Sequence, residues 1–108
     1  MNLSKSHQGS WQVIHVEGQI DSKTVMKLRD FVDSELEEAL PVALDLSAVP
    51  FMSSAGLRTL LMLHHRTQEM GVALALVGIA PEIADTMKIT GFYDHFKIHP
   101  DLESLLHS

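Results

Sequence analysis

The apolar positions along the chain change period several times, and each change marks an element. Trp11 to Val16 reads WQVIHV, and its β-branched and aromatic content predicts a strand. Gly18-Gln19-Ile20-Asp21 breaks that pattern, after which Asp21 or Ser22 can cap a helix. Val25, Leu28, Val32, Leu36 and Ala39 then recur at three- and four-residue steps, one apolar helix face, and Pro41 ends the run. Val42 to Leu46 (VALDL) suits an interior strand. Ser47 to Met52 is turn-like, and a second helix is predicted from Ser54 to Met70, rich in leucine, with Gly71 as its stop. Val72 to Val77 (VALALV) predicts another buried strand. Pro81 opens a third helix that runs to about Ile89, with Ile83, Ala84 and Met87 inward. His95 to His99 predicts a short last strand, and Pro100 to Leu106 a terminal helix with Leu102, Leu105 and Leu106 on one side. Leu3 to Gln8 alternates poorly and is predicted only as an edge strand pairing with Trp11 to Val16.

Strands alternating with helices predict an α/β fold whose sheet is mixed but mostly parallel. Four to five strands and about four to five helices are expected, in a single domain over residues 1–108. A chain of 108 residues can bury one core without staples. Eight Lys+Arg against 14 Asp+Glu give a net charge of −6, which argues against a broad basic face for nucleic acid. The chain has no cysteine, which excludes disulfides, thiolate metal sites and a cysteine nucleophile, and fits a reducing cytoplasm. No stretch approaches the ~20 apolar residues of a membrane span. The opening MNLSKSHQGSW lacks the apolar centre of a secretory signal. A cytoplasmic unit without direct membrane insertion is expected. With no long apolar face left over, so is a monomer.

Chemistry concentrates between Asp45 and Leu61, DLSAVPFMSSAGLRTLL. Ser53 and Ser54 fall where the central helix begins. Backbone N–H groups there lack partners, and the macrodipole favours negative charge. A hydroxyl in that place is an ordinary N-cap, or it can carry a phosphate; the residues alone favour the cap. Gly56 lowers helix propensity by ~1 kcal/mol against alanine. A partner approaching the uncovered backbone beside the serine would explain that cost. Met52, next to the serines, is expected to be exposed, because methionine suits an adaptable binding surface; Met26, Met62, Met70 and Met87 are expected to fill the core.

Other chemistries fit poorly. Seven histidines are scattered without metal-site spacing, and the adjacent His64 and His65 point about 100° apart on a helix. No metal and no cofactor is expected. A Ser54-based hydrolase would want the G-x-S-x-G elbow, which is absent, as is a P-loop; no enzyme activity is expected. Trp11 and Tyr93 read as structural, and Asp45 as a cap for the loop that follows it or a partner contact.

DLSAVPFMSSAGLRTLL resembles the signature of the STAS domain, in its anti-sigma factor antagonist branch: D-[LF]-S-x-V-x-F-M-[DS]-S-[SA]-G-L. Gly18-Gln19-Ile20-Asp21 resembles that family's G-[EQ]-[LI]-D segment, and Thr90-Gly91-Phe92 with Phe96 and Ile98 its closing segment. The resemblance implies a small domain that binds protein partners. Unphosphorylated, such an antagonist binds an anti-sigma factor that is also a serine kinase of the histidine-kinase-like ATPase type, and a sigma factor or other effector is released. The kinase phosphorylates a serine at the start of the central helix, and a metal-dependent serine phosphatase resets it. Motif alignment makes that serine Ser54, with Ser53 as second choice. Asp21 falls on the family's loop acidic residue, and Met52, Ser53, Gly56 and Leu57 would border the docking surface. Ser53 stands where many members carry aspartate, and Ala55 where many carry a second serine. A second reading is a non-switched STAS subunit of a lipid-transport ABC complex or of a larger signalling assembly.

Overall fold

The computed structural model describes residues 1–107. Five strands form one sheet in the order β1 (Asn2–Gln8), β2 (Trp11–Glu17), β3 (Val42–Ala48), β4 (Leu74–Val77), β5 (Lys97–His99). β1 is antiparallel to β2, and every later pair is parallel. The α/β expectation therefore holds, including the weakly patterned edge strand. Gly9, at φ 60°, opens the two-residue turn between β1 and β2, a conformation that costs a glycine little. Parallel neighbours need crossovers, which α1 (Val25–Glu35), α2 (Ser54–Met70) and α3 (Pro81–Thr90) supply. Gly71, left-handed at φ 72°, ends α2 by donating its N–H to Gln68 O.

The strand alternation sorts side chains to two unequal faces. Ile14, Val16, Val42, Leu44, Leu46, Leu74 and Leu76 join the buried faces of α1, α2 and α3 in the main core. Val13, Ala43, Ala75 and Val77 point the other way, where α4 (Leu102–Leu106) covers them through Leu105 and Leu102. Trp11 packs against this smaller cluster, at one end of the sheet as its sequence position suggested. The terminal helix starts later than predicted, because the Asp101 side chain caps it by accepting from Ser104 N at 2.7 Å.

Two further expectations fail here. The helix from Val25 was expected to reach Ala39, but α1 ends at Glu35, with Leu36 extended. The cause lies in β2. Gln12 is fully buried; its amide donates to Glu37 O (2.6 Å) and Leu40 O (3.0 Å) and accepts from Glu37 N (2.8 Å). Lys5 Nζ also takes Glu35 O at 2.6 Å. These bonds satisfy the backbone beyond Glu35 in a non-helical path, so propensity is overridden from a distance. The methionines also divide differently. Met87 and Met52 are buried, whereas Met26 and Met62 are 56% and 47% exposed and fill no core.

Gln12→Leu removes all three loop bonds while keeping an apolar side chain of similar size. We expect a loss of about 2–3 kcal/mol in urea unfolding, the cost of stranded backbone groups offset in part by water. An unchanged midpoint would show that the loop holds itself.

Candidate functional site

The two loops that leave the C-terminal ends of β2 and β3 meet at one rim of the sheet, the place where open α/β sheets present their sites. Parallel pairing continues past the regular strands after a register shift between His15 and Glu17. Gly18 N donates to Ala48 O (3.0 Å), Ile20 N to Phe51 O (3.0 Å), and Ser53 N to Ile20 O (2.9 Å), with a bridge between Ile20 and Met52. Ile20 is fully buried and anchors both loops. Asp21 is thereby set beside the start of α2.

The Asp21 carboxylate is occupied locally. Its Oδ1 accepts from Lys23 N (2.9 Å) and Thr24 N (3.2 Å), while Asp21 N donates to Thr24 Oγ1 at 2.9 Å. The helix N-cap expected at Asp21 or Ser22 falls instead on Thr24, which makes no side-chain cap bond, because the Asp21 carboxylate closes a turn before α1 begins.

The two serines are not equivalent. Ser53 is extended (φ −81°, ψ 175°) and its Oγ accepts from Gly56 N at 3.5 Å, so it is the N-cap of α2, with a long cap bond. Ser54 is the first residue of the helix and is exposed. The first turn of α2 holds no acidic residue to oppose a negative group there. Arg58, one turn on, is exposed too.

Met52, Gly56 and Leu57 lie beneath this surface rather than on it. Met52, expected to be exposed, is only 7% accessible, because the Ile20 bridge turns its side chain into the core. Leu57 is buried as well. Gly56 does not leave backbone open for a partner. A Cβ there would sit 2.5 Å from Met52 Cγ and 2.9 Å from Ile20 Cγ2, so the glycine lets the first turn of α2 close on its own chain. The apolar group that does face solvent is Phe51, 51% exposed, which the sequence reading passed over as part of a turn. A solitary aromatic between turn residues was the available signal.

Behind the rim, on the thinly covered sheet face, Asp45 joins three strands. Its Oδ1 accepts from Ser47 N (3.0 Å) and Ser47 Oγ (2.7 Å), the loop-capping role expected for it; Oδ2 pairs with His15 Nδ1 (2.9 Å). His15 Nε2 lies 2.9 Å from Ser6 Oγ. Burial raises the Asp45 pKa, but the Ser47 bonds and His15 outweigh it and hold the carboxyl below its usual range.

The chain belongs to the STAS domain family: the family's sequence model matches residues 2–105. An anti-sigma factor antagonist from Mycobacterium paratuberculosis superposes with a TM-score of 0.86 at 24% identity, over 98% of this chain and 91% of that one. The anti-sigma factor antagonist SpoIIAA in its unphosphorylated form gives 0.77 at 14% identity, over 98% and 95%. The Bacillus cell fate determinant SpoIIAA in its phosphorylated form gives 0.72 at 14%, over 98% of each. At these identities the likeness is one of fold.

Two outcomes follow. Gly56→Ala gains ~1 kcal/mol of helix propensity, yet we expect net destabilisation of about 1–2 kcal/mol by overpacking against Met52 and Ile20. Thermal unfolding that shows a gain instead would mean the loop yields freely. The second outcome concerns acid. A lowered Asp45 pKa adds stability that is complete above its ordinary value, 3.8, and is lost as pH falls through the lower folded value. Asp45→Asn should therefore be less stable than wild type at neutral pH. The gap should narrow in acid titrations below about pH 4.

Proposed function

We propose that this protein is a phosphorylation-controlled anti-sigma factor antagonist acting in the cytoplasm. Unphosphorylated, it binds an anti-sigma factor that is also a histidine-kinase-like serine kinase, and so frees a sigma factor or another effector. Phosphorylation at Ser54 switches it off, and a metal-dependent serine phosphatase restores it. The domain does no chemistry of its own.

The observation that carries this reading is the division of labour at the start of α2. Ser53 is spent on the cap, while Ser54 is exposed, unopposed by acid in its turn, and next to an exposed aromatic. That division favours Ser54 over Ser53 as the phosphate acceptor. The fold shared with SpoIIAA, whose phosphorylated form has been solved, agrees with it.

A charge mechanism suffices. A phosphate adds about −1.5 to −2 units and three acceptor oxygens. On a surface built around Phe51 and packed against a partner, that charge has to be desolvated, at a cost that the exposed Arg58 one turn on offsets only in part. Each ~1.4 kcal/mol of such penalty costs tenfold in affinity. The fold itself need not move, because the loops beneath Ser54 are held by backbone bonds and by the buried Ile20, Met52 and Leu57.

Pull-downs from the source lysate with wild type, Ser54→Ala and Ser54→Asp as baits check this reading. Wild type and Ser54→Ala should retain an ATPase-type serine kinase, and Ser54→Asp should lose most of it. If all three retain the same transporter or scaffold subunits, Ser54 is not a switch and the non-switched STAS role takes its place.

A further inference from the structure

Three of the seven histidines meet on the C-terminal half of α2. The His64 ring lies 5.6 Å, centroid to centroid, from His95 and 5.8 Å from His65, with Phe96 against it edge-on at 5.5 Å. His64 is half-buried; His65 and His95 are exposed. His95 ends the 3-10 turn Tyr93–His95 that leads into β5, so its contact with His64 fastens that turn to the helix. His64 and His95 border a cleft of about 310 Å³, which Asp94, Phe96 and Lys97 also line.

These imidazoles differ from the two that sit against carboxylates. His15 pairs with Asp45 and His7 with Glu37. Among the described residues no hydrogen bond or ion pair holds the ring of His64, His65 or His95, so a second proton in the group meets a positive charge. The charged groups around them are few. On α2, Glu69 follows His65 by four residues, and Arg66 is turned to Asp33. The turn brings Asp94, β5 brings Lys97, and Lys88 of α3 sits 4.9 Å over the Tyr93 ring.

We propose that His64, His65 and His95 form a proton-sensitive latch, which holds the Tyr93–Phe96 turn on α2 at neutral pH and releases it on acidification. Burial, then the nearness of His95 and His65, keeps His64 below the usual histidine range. The sign follows from linkage. A ring neutral in the fold loses ground once the unfolded chain begins to take protons, so the contribution is complete above the ordinary value, 6.5, and declines as pH falls below it. Two like charges at this separation repel by about threefold in an equilibrium constant under full water screening, and by more where the rings are shielded. The latch does not depend on the switch proposed for Ser54.

Amide exchange on the full chain tests it, read as protection factors near pH 7.5 and pH 5.5, the range that brackets histidine. Protection over Phe96 to His99 should fall at least about threefold relative to Val42 to Leu46 as pH drops. His95→Gln, an exposed substitution that the fold should tolerate, should flatten that fall, and His64→Gln should do the same. Histidine titration by NMR adds a second reading: the His64 pKa should rise in His95→Gln. An unchanged His64 pKa, or an equal loss of protection in wild type and His95→Gln, would overturn the latch.

Discussion

The parallel pairing of β2 with β3 is the contact on which the site depends. Because the two strands run the same way, both leave the sheet at one rim, and their loops can go on pairing beyond the regular ladder. That extension, through Gly18, Ile20 and Ser53, turns two loops into one platform. Antiparallel strands would send the same loops to opposite ends, and Asp21 would not meet the start of α2. The arrangement requires a crossover between the strands, which α1 supplies.

The platform is tight beneath and open above. Ile20, Met52 and Leu57 are buried in it, and Gly56 is the residue that lets the helix close on them. Phe51, Ser54 and Arg58 remain outside. A charge placed on such a surface changes what can dock without needing to change the fold. This is why the burial of Met52, although contrary to expectation, fits the proposed role. A methionine that packs under the serine helps to keep the surface in one shape.

Long-range polar contacts set the remaining details. Gln12 in β2 decides where α1 stops, and Asp45 ties β3 to β2 through His15. The histidines show how much context matters. The same imidazole is a carboxylate-paired tie at position 15 and a member of an unpaired cluster at position 64. Sequence spacing put His64 and His65 about 100° apart on their helix, yet their rings lie 5.8 Å apart. It carried no sign of His95, which reaches His64 through a turn about thirty residues on.

The order and type of the elements can be read from the chain alone, because the period of apolar residues reports which side of each element is dry. The mostly parallel sheet was legible as well, since strands alternating with helix-length apolar runs favour crossover connections. The long motif around Ser54 identified the family. Only the tertiary structure decided which methionines are buried, where α1 ends, which serine caps the helix and which stays exposed, and which histidines meet. Each of these turns on a group supplied by a distant part of the chain: Gln12 for Glu37, Ile20 for Met52 and Gly56, His95 for His64. Periodicity shows that a residue belongs to an inward or outward face. It does not show what the opposite surface brings to meet it, and that decides a side chain's role.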